Sequence, residues 1–434
     1  MTVRSLRLAA ATFLFGALAA PGMVGATPPA PGPNPAVPTP AVATVNTDRC
    51  PHKHAAPPAV DTSEVPRPGQ TAPAPLPVPE PAVGGERLAG CGLVLPDGAP
   101  PAPAGIDSAG WLVADLTDGT VVAAKDPHGR YRPASTIKLL LAQVALRDLD
   151  LDSVVEGTAD DAAQEGDAAG VSPGGRYTVR QLLEGLILIS GNDAAHALAR
   201  QLGGVEATVS KMNELAMSLG ARDTRAATPS GLDGPGQTTS PYDLALILRN
   251  ALRDKRFIEI AQTHQVTFPG HPPVPTTPPS TPLPAGASAP APPTSVAPYP
   301  IINENRMLTD IPGAVAGKTG YTDDAKKTYV GAVDRDGRRY VVVQMFGLAH
   351  TGNTYWDQFR RLLDYGLSQR GKSVGTLAVP EAAASTGEGS PTTSAPAPES
   401  AQGMGTWARV AIGVVGLALI CTLVGAAMRA NRKR

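Results

Sequence analysis

The sequence predicts an α+β fold in which an antiparallel sheet is flanked by helices and a helical lobe is inserted between the strands. Two β-hairpin patterns carry this prediction, because they stand near the two ends of one region, 106–370, with helical patterns between them. A third observation sets the limits of that region. Proline accounts for 46 of the 434 residues and is concentrated outside the region, apart from one insertion, as expected if linkers surround a packed domain.

The N-terminus has the pattern of a secretory signal peptide, 1–26, which we predict is cleaved after Ala26. Arg4 and Arg7 precede a short apolar run, and small residues lead to the cleavage position. The following segment, 27–105, is dominated by proline and alanine. We predict that this segment is extended and semi-rigid rather than packed.

Residues 407–429 are predicted to form one transmembrane helix, which a low-complexity linker, 371–406, joins to the domain. The helix contains a run of 19 residues without charge, 410–428, which is close to the length that crosses a bilayer. The tail after it, 430–434, is basic, so the positive-inside rule puts it in the cytoplasm. The expected location is the cell membrane, with a single span and with the domain outside the cytoplasm.

Cys50 and Cys91 are the two cysteines that this topology leaves outside the membrane, since Cys421 lies within the predicted span. Extracellular segments favour disulfides, and we predict a bond between Cys50 and Cys91. The cysteines and histidines show no repeated ligand spacing, and there is no HExxH motif, so no metal or cofactor is expected. His128 and His196 are interpreted as structural.

The first hairpin and the helices after it follow from local patterns. Apolar residues alternate on both sides of Asp118-Gly119, which is a strong turn signal. A helix is predicted at 135–147, and Thr178 with Gln181 forms a capping-box pattern ahead of an apolar run.

Three further helices are predicted at 193–202, 205–219 and 242–253, the last capped by Ser240 and Pro241. Together with the helices before them, they account for the inserted helical lobe.

A Pro-rich stretch, 268–300, interrupts this pattern. Because proline cannot donate to a strand ladder, we predict a disordered insertion in a surface loop that neither packs nor pairs. Two apolar stretches after it predict a second hairpin, turned at Asp336-Gly337, and 353–367 is predicted to be the closing helix.

The charge balance argues against a nucleic-acid partner. The chain has 37 basic and 38 acidic residues, with a formal net charge of -1, whereas nucleic-acid binding usually requires a basic excess or stripe.

The stretch "RPASTIKLLLAQ" places Ser135 and Lys138 three residues apart at the start of an apolar helix. Residues at this spacing share a helix face. A serine hydroxyl needs an adjacent base to be a nucleophile, and a lysine can be that base if burial or a nearby cation lowers its pKa. The plain alternative is a serine cap followed by a solvated lysine.

Two later motifs decide between these alternatives. "LISGNDAAHALA" contains Ser190-Gly191-Asn192, and "AGKTGYTDDA" contains Lys318-Thr319-Gly320. The order S-x-x-K, S-x-N, K-T-G resembles that of the serine penicillin-recognising enzymes. The stretches "PASTIKL", "SGNDAA", "SGLDGPGQTTSPYDLALI" and "GKTGYTDDAKKTYVGA" are similar to the low-molecular-weight penicillin-binding proteins that are D-alanyl-D-alanine carboxypeptidases. The resemblance covers 110–367 and implies a DD-peptidase/β-lactamase-like fold.

The resemblance implies the catalytic roles. Ser135 would be the nucleophile, Lys138 its base and Ser190 a proton relay to the leaving amine. The backbone N–H groups of Ser135 and Tyr321 would form the oxyanion hole. Lys318 is a candidate for the cation that lowers the pKa of Lys138.

Substrate binding would fall to four residues of the second and third motifs. Asn192 would hydrogen-bond the substrate amide and hold Lys138. Lys318 and Thr319 would meet the carboxylate of a C-terminal D-alanine, and Gly320 would let the substrate backbone approach the strand.

The function so implied is removal of the terminal D-alanine from peptidoglycan stem pentapeptides through an acyl-enzyme on Ser135, with β-lactam antibiotics as covalent inhibitors. A β-lactamase of the same superfamily is an alternative, although no E-x-x-L-N motif follows Ser190. A catalytically silent wall-binding module and an endopeptidase are two others. Many relatives carry a C-terminal β-domain before the membrane, whereas only a linker, 371–406, fits here.

Overall fold

The computed structural model describes residues 45–273, 295–348 and 354–377. Four sequence predictions lie wholly or mostly outside these residues: the signal peptide 1–26, the linker 371–406, the transmembrane helix 407–429 and the tail 430–434. In the described part of the chain, no helix is both long enough and apolar enough to span a bilayer.

The strands of the described residues are β1 (Leu93–Val94), β2 (Gly110–Asp115), β3 (Thr120–Lys125), β4 (Val154–Glu156), β5 (Arg176–Thr178), β6 (Gln265–Phe268), β7 (Tyr299–Ile302), β8 (Ala314–Thr322), β9 (Lys326–Arg335), β10 (Arg338–Gly347) and β11 (Gly375–Thr376). The α-helices are α1 (Lys138–Asp148), α2 (Ala159–Ala162), α3 (Val179–Leu188), α4 (Asn192–Gln201), α5 (Val205–Ser218), α6 (Pro241–Ala251), α7 (Lys255–Gln262), α8 (Met307–Asp310) and α9 (Tyr355–Ser368).

One antiparallel sheet organises the molecule, in the order β1-β3-β2-β10-β9-β8, with β11 also paired to β3. Both predicted hairpins are confirmed, as β2–β3 and β9–β10. They join through β2 and β10, where Val113 lies opposite Val342. The sheet is therefore built from both ends of the domain with the helices inserted between, as the sequence predicts. Strand β8, which carries the Lys-Thr-Gly motif, is at one edge.

The predicted helices form close to their expected bounds, with local reasons for their starts. Thr178 and Gln181 make the reciprocal capping box of α3. Ser240 accepts a hydrogen bond from the backbone of Asp243 at the start of α6. The helix expected from Ser135 begins as a 3-10 turn, Ala134–Ile137, and continues as α1.

Two apolar layers cover the two faces of the sheet. The larger contains α1, which is buried along most of its length, and packs the helical lobe onto one face. The smaller packs α9 onto the other face, where Tyr329 lies edge-on to Trp356 and Phe359 at 4.9 and 5.3 Å between ring centroids. The sheet is thus held rigidly from both sides.

The prediction that 268–300 neither packs nor pairs is wrong at both ends of the stretch. Phe268 is fully buried and lies opposite Tyr299 in the β6–β7 ladder. His271 and Val296 extend the pairing by one bridge. Pro300 is accommodated because this ladder has only two strands, so each strand has a free edge on which a missing N–H group costs nothing. The centre of the stretch, 274–294, lies outside the described residues.

The prediction that the segment after the signal peptide stays unpacked is wrong for 45–97. The segment has little regular structure, as expected, but three buried cations of the domain bind it. Arg130 donates to three of its carbonyl groups, Lys125 donates to another, and Arg132 pairs with Glu64. Leu88 and Val94 of this segment also join the apolar core, so polar anchoring adds to hydrophobic packing here.

Two smaller findings complete the terminal segments. Cys50 and Cys91 form the predicted disulfide, with 2.02 Å between the sulfur atoms. The start of the predicted linker is part of the fold, because β11 pairs with β3 and Val374 and Leu377 are buried beside it.

Candidate active site

Lys138 is fully buried at the first turn of α1, and its amine has three close partners. Nζ lies 2.7 Å from Ser135 Oγ, 2.7 Å from Asn192 Oδ1 and 2.6 Å from the carbonyl oxygen of Ser230. A neutral amine can donate its two hydrogens to the amide and carbonyl oxygens and keep its lone pair for the Ser135 hydroxyl. The geometry therefore suits proton transfer from Ser135 to Lys138.

Burial holds the pKa of Lys138 well below its usual range, and the positive charge of Lys318 lowers that pKa further. The carboxylates of Asp167, Glu304 and Asp193 act in the opposite direction. Lys318, the cation that the sequence analysis suggested, is therefore positioned to lower the pKa of Lys138. A lysine with its pKa lowered in this way is available as a base near neutral pH.

The turn that contains Ser135 has a strained backbone, and a neighbouring loop packs against it. Ala134 has a φ of 46°, a conformation that costs a non-glycine residue energy and survives only when its surroundings enforce it. Gly231 packs closely against this turn, because its own φ is 91° and a side chain on it would come within 2.1 Å of the Ala134 carbonyl oxygen. The loop that binds Lys138 through Ser230 thus also contacts the turn that carries Ser135.

Sequence reasoning missed the contacts of Ser230 and Gly231. The stretch "SGLDGPGQTTSPYDLALI" carried part of the family resemblance, but both contacts use backbone atoms or a missing side chain. Residue identity alone does not reveal such contacts.

Ser190 lies at the opposite wall, where its φ of 65° turns the chain between α3 and α4. Its hydroxyl is buried and has no hydrogen-bond partner among the described residues. The neighbouring Asn192 is fixed at both ends, since Oδ1 accepts from Lys138 and Nδ2 donates to the Glu165 carbonyl at 2.5 Å. One amide hydrogen of Asn192 remains for a substrate.

Lys318 and Thr319 stand on the edge strand β8. Lys318 is 1% exposed, and its Nζ donates to the Thr319 carbonyl at 3.0 Å. Burial lowers the pKa of Lys318 to about 8, while the Glu304 and Asp167 carboxylates oppose this shift. The Thr319 hydroxyl donates to Glu304 Oε2 at 3.4 Å.

Gly320 brings β8 against the nucleophile turn. A side chain on Gly320 would lie 2.9 Å from the Ser135 backbone nitrogen and 2.4 Å from Thr328 Oγ1. Gly320 thus allows the close contact of two protein segments, and the expectation that it also makes room for the substrate stays a prediction. Tyr321 follows at once, with its side chain 57% exposed.

These groups meet at one cleft with a volume of 290 Å³. Its lining includes the predicted residues Ser135, Ser190, Thr319, Gly320 and Tyr321. It also includes residues that the sequence analysis did not select: Asp167, Glu304, Arg306, Lys327, Tyr355 and Trp356. A larger cavity of 520 Å³ lies elsewhere and contains none of the predicted site residues.

Both histidines interpreted as structural are hydrogen-bonded to buried carboxylates. His128 binds Asp223 at 2.8 Å and the Val83 carbonyl at 3.0 Å, and His196 binds Asp161 at 2.6 Å. Asp243 lies within reach of the first pair, so the three could in principle hold a metal ion. The cation Arg130 already pairs with Asp223, which makes this group a poor fit for another cation.

Comparison with known proteins identifies one family. The profile of the D-alanyl-D-alanine carboxypeptidase family, peptidase S11, matches residues 98–347. The D-alanyl-D-alanine carboxypeptidase DacB2 of Mycobacterium tuberculosis is 44% identical, over 65% of this chain and 90% of the relative. DacD of Escherichia coli, also a D-alanyl-D-alanine carboxypeptidase, is 30% identical over 64% of this chain and 69% of its own length.

Solved structures agree with the sequence comparison. The crystal structure of a D-alanyl-D-alanine carboxypeptidase from Mycobacterium tuberculosis has a TM-score of 0.58 at 44% identity, and the match covers 65% of this chain and 99% of that one. The Streptomyces K15 DD-transpeptidase has a TM-score of 0.52 at 26% identity, over 62% of this chain and all of that one.

Proposed function

This chain belongs to the D-alanyl-D-alanine carboxypeptidase family, peptidase S11, and we propose that it removes the terminal D-alanine from peptidoglycan stem pentapeptides through an acyl-enzyme on Ser135. It is a serine peptidase of the penicillin-recognising superfamily. The observation that carries the proposed mechanism is the contact of 2.7 Å between Ser135 Oγ and the buried Lys138 amine.

In the proposed acylation, neutral Lys138 takes the hydroxyl proton of Ser135 as Oγ attacks the carbonyl carbon of the penultimate D-alanine. The backbone N–H groups of Ser135 and Tyr321 stabilise the negative charge that develops on the carbonyl oxygen. Ser190 passes the proton from Lys138 to the leaving D-alanine amine, a role that its buried, unbonded hydroxyl supports. Water, with Lys138 again as base, then hydrolyses the ester.

Substrate binding is proposed to depend on the positive charge of Lys318. Lys318 and Thr319 bind the terminal carboxylate, and Asn192 binds the substrate amide. Lys318 must be protonated for this task, and its pKa of about 8 keeps it mostly charged at neutral pH. β-Lactams carry a carboxylate beside their reactive carbonyl, so we expect them to acylate Ser135 through the same contacts.

We also propose that the enzyme works outside the cytoplasm, anchored by a single C-terminal span. The signal-peptide pattern at 1–26 and the uncharged run within 407–429 support this proposal. The Cys50–Cys91 disulfide supports it too, because disulfides persist in oxidising compartments.

Labelling with penicillin tests the nucleophile. We expect intact-mass spectrometry to detect one penicillin adduct on the wild type and none on Ser135→Ala, since the proposed nucleophilic hydroxyl is absent. Ser210→Ala removes an exposed serine hydroxyl from α5 and should label like the wild type. An adduct that persists on Ser135→Ala would rule out Ser135.

Release of D-alanine from a stem pentapeptide tests the activity itself. The wild type should release it and Ser135→Ala should not. A wild type that hydrolyses penicillin rapidly but leaves the pentapeptide intact would contradict the carboxypeptidase assignment and favour a β-lactamase.

A further inference from the structure

Glu304 is held at the cleft by its neighbours in the chain. It lies between β7 and α8, where its backbone N–H donates to the Leu188 carbonyl at 2.8 Å. Asn303 donates to the carbonyls of Ala261 and Thr263, and Asn305 accepts the Tyr329 hydroxyl at 2.7 Å. With both flanking residues fixed, the solvent-exposed Glu304 side chain lines the cleft.

This carboxylate stands beside the two groups that are proposed to bind the substrate's own carboxylate. The Thr319 hydroxyl donates to Glu304 Oε2 at 3.4 Å. The Lys318 amine is buried, and the negative charge of Glu304 supports its protonation. An acidic side chain is unexpected at this point, because two carboxylates cannot share one small site without repulsion.

We infer that Glu304 is an internal stand-in for the substrate carboxylate, which holds the Thr319 hydroxyl and supports the charge of Lys318 until the substrate takes its place. The inference rests on the proposed function and makes Glu304 a specificity-determining residue for it. The entering carboxylate must displace the Glu304 carboxylate or leave it protonated, and either process weakens substrate binding.

Several elements around Glu304 contribute a charged or titratable group. Lys318 comes from β8, Lys138 from α1, Asp167 from the loop before β5, and Tyr355 from α9. Burial raises the pKa of Glu304, Lys318 and Lys138 lower it, and Asp167 raises it. Arg306, two residues along, also lines the cleft, and it pairs with Asp310.

Removing the charge of Glu304 should therefore have two effects of opposite sign. The substrate carboxylate would meet less repulsion, so KM should fall at a pH where Lys318 is fully protonated. Lys318 would also lose a supporting charge, so its pKa should fall from about 8. The alkaline decline of kcat/KM should then move to lower pH.

The test compares Glu304→Gln with Glu259→Gln, which neutralises an exposed glutamate of α7. The substrate is diacetyl-L-lysyl-D-alanyl-D-alanine, and its C-terminal amide serves as a competitive inhibitor without the charge. At pH 6 we expect KM to fall about fivefold in Glu304→Gln, with kcat changed less than about twofold. The inhibition constant of the amide should not change, and Glu259→Gln should match the wild type.

Glu304→Asp keeps the negative charge but shortens the side chain. It therefore distinguishes the effect of the charge from the effect of a local structural change. The alkaline decline of kcat/KM should stay near the wild-type pH in Glu304→Asp, whereas it should move to lower pH in Glu304→Gln. The inference would be overturned if KM at pH 6 were unchanged or raised in Glu304→Gln. It would also be overturned if the inhibition constant of the amide changed as much as KM. Neither result would affect the carboxypeptidase assignment. A wild type that releases no D-alanine would overturn both.

Discussion

At the scale of single residues, Asn192 shows how one amide sets the chemistry of a neighbouring amine. Its Oδ1 accepts a hydrogen bond from Lys138 at 2.7 Å without adding charge. A carboxylate at the same place would stabilise the ammonium form, which cannot act as a base. An asparagine, rather than the nearly isosteric aspartate, therefore favours the neutral amine of Lys138, which is the form that the proposed mechanism requires.

We expect Asn192→Asp to slow acylation by penicillin about 10- to 100-fold at pH 7, because the new carboxylate raises the pKa of Lys138. The loss should shrink as the pH rises and Lys138 loses its proton. A stopped-flow assay with a fluorescent penicillin between pH 6 and 10 measures this recovery.

Asn250→Asp is the matched control, since the Asn250 side chain binds Gln143 away from the cleft. Asn192 also donates to the Glu165 carbonyl, so some of the loss in Asn192→Asp will be structural and independent of pH. A loss with no pH-dependent part would contradict the role given to Asn192.

The sequence predicted the residues whose side-chain groups suggest a chemical role. It missed the residues that act through backbone atoms or through their position in the fold. Ser135, Lys138 and Lys318 stood in motifs, and the structure places them within one site. The carbonyl of Ser230 looks like any other in a sequence. Glu304 belongs to none of the motifs, and its contact with Thr319 depends on how the chain between the two residues folds.

At the scale of secondary-structure elements, the approach of β8 to the start of α1 forms the cleft. Gly320 of β8 faces the Ser135 backbone. The neighbouring strand β9 adds a second contact, in which the Thr328 hydroxyl donates to the Pro133 carbonyl at 2.9 Å. The proposed oxyanion hole requires this approach, because it takes one N–H group from each element.

Gly320→Ala should push β8 away from Ser135 and lower the rate of acylation about 100-fold, the order of loss expected for a displacement of 1 Å. Gly347→Ala is the control, because a side chain at that strand end meets nothing closer than 3.4 Å. Penicillin acylation rates and melting temperatures should be measured for both. Normal acylation in a folded Gly320→Ala enzyme would show that the contact is not needed.

Periodicity and turn signals predicted the two hairpins of the main sheet and the helices, because each element carries its own local pattern. The β6–β7 pair was not predicted, since its strands are separated by a Pro-rich stretch and are stabilised by distant contacts. Phe268 stacks on Tyr177 at 5.4 Å between ring centroids. The Pro-rich composition of that stretch concealed the pairing of its ends.

At the scale of the whole molecule, the segment 45–97 is the largest departure from the sequence prediction. It lies ahead of the region that the family profile matches, 98–347. Part of its attachment uses buried cations and backbone carbonyls, and no sequence pattern marks a carbonyl as a partner. Arg130 and Arg132, which make these contacts, precede Ser135 by a few residues in the sequence.

Opening the disulfide should destabilise the enzyme. The bond closes a loop with a sequence separation of 41, and we expect Cys50→Ser/Cys91→Ser to lose about 2–4 kcal/mol of unfolding free energy. Chemical denaturation with and without a thiol reductant measures the loss.

Reductant should lower the stability of the wild type to that of the double variant and leave the variant itself unchanged. Equal stability of the wild type with and without reductant, once thiol titration shows that the bond is open, would contradict the prediction.

Strands from the two ends of the domain lie at the same edge of the sheet, opposite the edge formed by β8. Strands β1 and β11 both pair with β3, and the order of the sheet puts five strand spacings between β1 and β8. At about 4.8 Å per spacing, roughly 24 Å separates the two edges. An enzyme immobilised on a sensor chip through a handle beside Leu377 would thus present its cleft on the flank turned away from the support, open to large wall fragments.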